Sequence, residues 1–143
     1  MNRHLAREKV LVVDDEQVIL ELLERVLSRE GYQVTTIPWS EEVVSLISTK
    51  RFDLAIVDVG LRTLDGCKPM KMIREASPET ALVVMTGYPV EEVIRFAQDH
   101  AQGYLEKPFD LQEFLAVVRG ALEGALINGS KSSEDHLGIC CRT

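Results

Sequence analysis

The sequence has no long hydrophobic run, and this absence excludes a membrane-spanning protein. Apolar runs such as 10–13 and 81–85 are far shorter than the roughly 20 residues that a transmembrane helix needs. The first nine residues carry basic side chains, but no apolar segment of signal-peptide length follows them. We therefore expect a cytoplasmic protein that does not enter a membrane.

Cysteine is also scarce, which argues against a disulfide-stabilised fold. The chain has three cysteines, Cys67, Cys140 and Cys141, an odd number with two of them adjacent near the end. His136 lies close to that adjacent pair, but no second Cys or His pair has the spacing of metal ligands. Reduced thiols are therefore expected, as in most cytosolic proteins.

Basic residues are fewer than acidic residues in this sequence. The chain has 16 Lys and Arg against 23 Asp and Glu, which gives a net charge of −7. Nucleic acids bind to clustered basic side chains, because these neutralise the phosphates. We therefore predict no direct binding of nucleic acid, and we assign most of the acidic residues to solubility.

The sequence does contain a regular alternation of short apolar runs and segments with helical spacing. The runs are continuous, which is typical of a parallel sheet covered on both faces. Right-handed crossovers then favour a flavodoxin-like (βα)5 fold, a doubly wound parallel sheet with strand order 2-1-3-4-5. The predicted strands lie at 9–13, 33–37, 52–57, 81–85 and 103–105.

One domain accounts for most of the 143 residues. We place it at 9–126, after an N-terminal extension at 1–8. Residues 127–143 are polar, contain Gly and Ser and lack periodicity, so we predict a mobile tail. Within the domain, Gly31 is expected to end the first helix, and Ser40 and Asp110 to cap later helices.

Polar residues follow the apolar runs at the points where the strands end. Carboxyl ends of parallel strands meet at one edge of a sheet, so we expect these residues to converge near the switch point. Three carboxylates in one place repel each other unless a cation neutralises them, and hard oxygen ligands favour Mg²⁺. The residues are Asp14, Asp15, Asp58, Thr86 and Lys107.

This set has the parts of a phosphoryl-transfer site. A carboxylate beside a metal ion can accept a phosphoryl group, a lysine can contact a phosphate oxygen, and a threonine hydroxyl can donate to another. Each residue also has a simpler explanation when taken alone. Asp14, Asp15 and Thr86 could cap helices or form turns, Lys107 could be a solvated lysine, and Tyr104 a half-buried core aromatic.

The sequence resembles the receiver domain of two-component response regulators over residues 9–126. Each matching motif is weak alone, but five of them in order at the expected strand ends form a specific pattern. The motifs are Val-Asp-Asp-Glu at 13–16, Ile-Val-Asp at 56–58, Leu-Asp-Gly at 64–66, Met-Thr-Gly at 85–87 and Tyr-Leu-Glu-Lys-Pro-Phe at 104–109.

The resemblance implies a role for each site residue. Asp58 would be the phosphoacceptor, and Thr86 and Lys107 would contact the phosphoryl group. Tyr104 would be the aromatic switch residue that reorients when Thr86 moves, and the Lys107–Pro108 bond would be cis. The implied Mg²⁺ ligands are Asp14, Asp15, Asp58 and the backbone carbonyl of Gly60.

The implied function is that of a phosphorylation switch. A sensor histidine kinase or a histidine phosphotransfer protein would transfer its phosphoryl group to Asp58, and the surface of helix four, strand five and helix five would change. The chain would not be an enzyme beyond Mg²⁺-dependent self-phosphorylation and autodephosphorylation. The resemblance does not identify the downstream target. It leaves open whether phosphorylation produces a homodimer, and whether the chain is a stand-alone or a truncated regulator without an output domain.

The donor protein is expected to dock beside Asp58. The first turn of helix one, together with Pro108 and Phe109, borders the approach to that residue. Val18 and Leu20 lie off the main apolar stripe of helix one, so they are predicted to offer exposed apolar contacts. For Val18, partial burial is the favoured alternative.

Three other functions compete with this prediction. An aspartate-nucleophile phosphatase would have a second Asp at position 16, where this chain has Glu16, and would carry a substrate cap. A dinucleotide- or flavin-binding module would need a Gly- or Ser-rich phosphate loop after strand one. A degenerate receiver that only docks to partners would lack part of the site.

Overall fold

The computed structural model describes residues 7–59 and 67–127. Gly60, the motif at 64–66 and the greater part of the predicted extension and tail lie outside the described residues. The strands and helices alternate from end to end. In chain order they are β1 (Lys9–Val13), α1 (Gln17–Arg29), β2 (Gln33–Ile37), α2 (Glu41–Thr49), β3 (Leu54–Val59), α3 (Lys68–Ala76), β4 (Ala81–Thr86), α4 (Glu91–His100), β5 (Gly103–Glu106) and α5 (Leu111–Ile127).

The five strands form one parallel sheet in the order β2-β1-β3-β4-β5. The predicted fold and strand order are therefore confirmed. Buried side chains from α1 and α5 pack on one face of the sheet, and those from α2, α3 and α4 pack on the other. Because both faces are covered, the central strands are apolar at almost every position.

Strand β3 runs further than its apolar run suggested. It continues through Asp58 to Val59, because Asp58 pairs with Met85 and Val59 pairs with Thr86 of β4. The sequence pattern placed Asp58 directly after the strand, whereas the structure holds its backbone within the sheet. The acceptor candidate is therefore fixed more rigidly than a loop residue would be.

The predicted helix ends are confirmed. Gly31 has a φ of 98°, a left-handed conformation that costs glycine little, and it follows the last turn of α1. The Ser40 hydroxyl accepts a hydrogen bond from the backbone N–H of Glu42 at 3.1 Å. Asp110 and Glu113 cap α5 reciprocally, each carboxylate accepting from the other residue's backbone N–H.

The prediction that Leu20 offers an exposed contact is wrong. Its side chain is 3% exposed and lies in the core with Leu23 and Leu27, at the i, i+3 and i+7 positions of α1. Val18 is 74% exposed and does face solvent. Within the described ranges, no helix combines the length and apolarity that crossing a membrane requires.

Candidate functional site

The predicted site residues lie at one edge of the sheet, where the carboxyl ends of the strands meet. Asp14 directly follows β1, Asp58 is the last residue but one of β3, Thr86 ends β4, and Lys107 follows β5. The backbone N–H of Lys107 donates to the carbonyl of Thr86 at 2.8 Å. This bond prolongs the β4–β5 pairing and aims the lysine across the strand ends.

Lys107 bridges the two inner carboxylates. Its Nζ lies 2.9 Å from Oδ1 of Asp58 and 3.6 Å from Oδ2 of Asp14. The Asp14 side chain is fully buried and that of Asp58 is 13% exposed. A pair this far from solvent is weakly screened, so it fixes the position of the Asp58 carboxylate more firmly than a surface ion pair would.

Asp14 is the buried acid of the site. Its Oδ1 accepts a hydrogen bond from the backbone N–H of Glu16 at 2.9 Å, but its Oδ2 has no hydrogen-bond partner. Burial raises the pKa of Asp14 above its usual value of 3.8, and the negative charge of Asp58 raises it further. The backbone hydrogen bond and Lys107 lower the pKa without cancelling the rise. The carboxylate is therefore incompletely neutralised by the protein's own groups.

Lys107 stays charged in this environment. Desolvation by itself would lower the pKa of Lys107, but the hydrogen bond and charge of Asp58, followed by the charges of Asp14 and Glu16, raise it above 10.5. The lysine is thus a permanent cation at the strand ends at neutral pH. It can contact a phosphoryl oxygen as a point charge.

Asp15 is placed differently from the other two carboxylates. Its side chain is exposed, and its Oδ1 accepts a hydrogen bond from the backbone N–H of Trp39 at 3.3 Å. Of the three carboxylates expected to converge, Asp14 and Asp58 both contact Lys107, whereas the Asp15 side chain is exposed. Over residues 7–59 and 67–127, no group of three His, Cys, Asp or Glu side chains is arranged as a ready-made metal site.

The donor chemistry of the site nevertheless suits a hard divalent cation. Asp14 Oδ2 is a buried oxygen without a hydrogen-bond partner, and the carboxylate carries a raised pKa that a cation would reverse. Asp58 and Asp14 both form an ion pair with Lys107. The Gly60 carbonyl, a further ligand implied by the sequence, lies outside the described residues.

Thr86 is completely buried at the end of β4. Its Oγ1 accepts a hydrogen bond from the backbone N–H of Tyr88 at 3.0 Å, which ties the hydroxyl to the segment leading into α4. A hydroxyl that accepts one bond can still donate another. A ligand that attracts this donor would therefore pull on the start of α4.

Tyr104 lies inside the protein and not on its surface. Its side chain is 3% exposed and belongs to the core cluster beneath α4. Its hydroxyl donates to Oε2 of Glu106 at 2.9 Å. Glu106 was not among the predicted site residues, although residues two apart on a strand share a face and this spacing could have indicated the contact. The cis Lys107–Pro108 bond is confirmed.

Comparison with known proteins shows what this chain is similar to. A family model described as the response regulator receiver domain matches residues 10–119. The chain is 35% identical over 115 residues to the response regulator MprA of Mycolicibacterium vanbaalenii, which covers 80% of this chain and 50% of that protein. It is 29% identical over 119 residues to the DNA-binding transcriptional regulator NtrC of Proteus hauseri, covering 82% and 25% of the two chains.

A solved structure agrees with these sequence matches. The crystal structure of a CheY-like response regulator receiver domain protein from Methanospirillum hungatei superimposes with a TM-score of 0.78 at 25% identity. The match covers 87% of this chain and all of the other. The chain therefore spans a quarter to a half of the curated relatives named above and the whole of this structural one.

Proposed function

Because this chain belongs to the response regulator receiver domain family, we propose that Asp58 accepts a phosphoryl group from a sensor histidine kinase or a histidine phosphotransfer protein. The observation that carries this proposal is the placement of Asp58, held by Lys107 at 2.9 Å beside the buried Asp14. Such a carboxylate is oriented and lies next to a cation that can stabilise the incoming charge.

The transfer exchanges one bond for another. A carboxylate oxygen of Asp58 attacks the phosphorus, the new oxygen–phosphorus bond forms, and the phosphorus–nitrogen bond to the donor histidine breaks. The released imidazole keeps the electron pair and takes up a proton. Lys107 then stabilises a phosphoryl oxygen, and the Thr86 hydroxyl donates to another. Beyond this self-phosphorylation and its reversal by hydrolysis, no turnover of another substrate is proposed.

Receiver domains generally bind Mg²⁺ at the phosphorylation site, and we extend this to the present chain. Asp14, Asp15, Asp58 and the Gly60 carbonyl would hold the ion. When bound, the ion neutralises the carboxylates and the phosphoryl oxygens between them. The Asp14 Oδ2, which accepts no hydrogen bond, and the raised pKa of Asp14 support this assignment.

Phosphorylation by a small donor tests the proposal. The chain is incubated with acetyl phosphate, with MgCl₂ or with EDTA, and analysed by intact-mass spectrometry. We expect a gain of one acyl phosphate per chain with Mg²⁺, and a rate lower by about two orders of magnitude with EDTA, because the carboxylates then repel the donor. A chain that never gains phosphate, or gains it equally in EDTA, would contradict the assignment.

The signal would leave the site through the surface formed by α4, β5 and α5. A phosphoryl group adds a charge of about −1.5 to −2 and attracts hydrogen-bond donors. Thr86 responds first and, through its bond to Tyr88, moves the segment that begins α4. We propose that this surface binds a cytoplasmic protein target, or a second phosphorylated copy of the chain, and not nucleic acid or membrane.

The donor protein is proposed to dock on the first two turns of α1. Val18 and Leu22, four residues apart on that helix, are 74% and 40% exposed. The helix begins at Gln17, two residues after Asp15. Val18→Glu should slow transfer from a phosphohistidine donor by about tenfold, as expected when an apolar interface contact is lost. Transfer from acetyl phosphate should stay at the wild-type rate.

Two variants control this experiment. Glu24→Ala, which removes an exposed carboxylate elsewhere on α1, should affect neither reaction. Leu20→Ala removes a core side chain at a cost of about 2–5 kcal/mol, so it should impair both reactions together. Docking elsewhere is indicated if Val18→Glu leaves the phosphohistidine reaction unchanged.

A further inference from the structure

Tyr104 and Glu106 form a hydrogen bond within strand β5. The two residues are two positions apart, so their side chains lie on the same face of the strand. The tyrosine hydroxyl donates to Oε2 of Glu106 at 2.9 Å. Tyr104 is 3% exposed, and Glu106 is partly buried at the end of the strand.

The bond gives the buried Tyr104 hydroxyl a hydrogen-bond acceptor. The ring belongs to the core cluster that also contains Val84, Val93 and Ala97, so the apolar body of the side chain is accommodated beneath α4. A phenolic hydroxyl in such a place needs a hydrogen-bond partner, because burying it without one is costly. A carboxylate is a stronger acceptor than a neutral oxygen.

Glu106 also adjoins the phosphate-contacting end of the site. It is the partner of Thr86 in the β4–β5 register, and the next residue is Lys107, whose backbone N–H donates to Thr86. The hydrogen bond itself joins two side chains of one strand. It therefore depends on no group that phosphorylation would add.

We propose that Glu106 is a positioning residue that holds Tyr104 in the core before as well as after phosphorylation. The α4–β5–α5 surface is then largely formed in advance, and phosphorylation changes it less than it would in a chain lacking this carboxylate. The consequence for signalling rests on the function proposed above, whereas the hold on the ring does not. Removing the acceptor should shift the ratio of buried to exposed ring by about tenfold.

The position of the ring can be measured by NMR. The chain contains three tyrosines, and ring-selective ¹³C labelling gives each a separate signal that Tyr→Phe variants assign. A soluble gadolinium chelate broadens signals in proportion to their exposure. Tyr88, which is 58% exposed, serves as the internal reference for an accessible ring. Measurements are made on the full chain without phosphodonor and without Mg²⁺, for wild type and for Glu106→Ala, Glu106→Gln and Glu24→Ala.

Tyr104 should be protected in the wild type and in Glu24→Ala. In Glu106→Ala it should broaden toward the level of Tyr88, with Glu106→Gln between the two because its amide oxygen still accepts a weaker bond. Protection that persists in Glu106→Ala would show that packing alone holds the ring. A wild-type Tyr104 as accessible as Tyr88 would also overturn the proposal.

A second variant removes the donor of the same hydrogen bond. Tyr104→Phe lacks the hydroxyl that needs an acceptor, so its ring should stay buried whether or not Glu106 is present. The labelled phenylalanine ring should therefore be equally protected in Tyr104→Phe and in Tyr104→Phe combined with Glu106→Ala. A phenylalanine ring that loses protection when Glu106→Ala is added would show that Glu106 acts through packing and not through the hydrogen bond, and would contradict the proposal. Intact-mass analysis after acetyl phosphate treatment separates the two hypotheses, since a chain that never gains phosphate refutes the switch but not the hold on Tyr104.

Discussion

Asp58→Asn is expected to abolish phosphorylation and to leave the fold intact. Asparagine has the shape of aspartate, and its amide oxygen can still accept the hydrogen bond from Lys107, which lies 2.9 Å from Asp58 Oδ1. It lacks the carboxylate that attacks phosphorus, and an amide is a poor nucleophile. The variant should therefore gain no acyl phosphate under conditions that phosphorylate the wild type fully.

Asp53→Asn is the matched control for that variant. Asp53 lies just before the same strand, and its Oδ2 accepts a hydrogen bond from the backbone N–H of Lys9 at the opposite edge of the sheet. Its substitution removes a carboxylate of equal charge that lies far from the site. Intact-mass time courses of the three proteins, with circular dichroism to verify folding, decide the matter. Phosphorylation of Asp58→Asn at the wild-type rate would place the acceptor elsewhere.

Asp14→Asn is expected to stabilise the fold while impairing phosphorylation. The raised pKa of Asp14 means that folding disfavours its charged form relative to the unfolded chain. At neutral pH the carboxylate is therefore a source of instability, and asparagine removes it while keeping an Oδ1 that accepts from Glu16. We therefore expect a higher free energy of unfolding, measured as a rise of several degrees in Tm.

The stability that Asp14→Asn gains over the wild type should increase as the pH rises. A carboxyl group whose folded-state pKa is raised binds its proton more tightly in the folded chain, so its contribution is most favourable below the unfolded value of 3.8. That contribution is lost as the pH rises from 3.8 through the raised folded pKa. The difference in Tm between Asp14→Asn and wild type should thus be largest at neutral pH and shrink toward about pH 4.

The measurement is thermal unfolding in EDTA at several pH values, followed by acetyl phosphate reactions with Mg²⁺. Asp15→Asn is the control, since that carboxylate is exposed and its removal should not raise Tm. Phosphorylation of Asp14→Asn should fall by about two orders of magnitude, as when a metal ligand is lost. A Tm equal to or below that of the wild type at neutral pH would refute the assignment of Asp14 as a destabilising buried acid.

The order of the strands and the composition of the site edge could be predicted from the sequence. Continuous apolar runs such as Ala81–Met85 specify strands buried on both faces, and the alternation with helices then restricts the connections. Once a parallel strand is identified, the residue that follows it must lie at the edge of the sheet where the carboxyl ends of the strands meet. This is why Asp14, Thr86 and Lys107 could be assigned to one edge of the sheet from their positions in the chain alone.

The tertiary structure alone decided how each side chain is used. Asp14 and Asp15 are adjacent and chemically identical, yet Asp14 is buried with one oxygen that accepts no hydrogen bond. Asp15 is exposed and accepts a hydrogen bond from the backbone of Trp39. Leu20 proved to be core and Val18 exposed, because the rotation of α1 against the sheet sets which of two neighbouring apolar residues faces inward.

The same distinction applies to Tyr104. Its place on β5 could be predicted from the sequence, but its burial and its bond to Glu106 depend on the space beneath α4. Strand periodicity determines the face of the sheet on which a side chain lies. Burial, rotamer and hydrogen-bond partner depend on atoms contributed by elements distant in sequence, and only the packed fold brings these together.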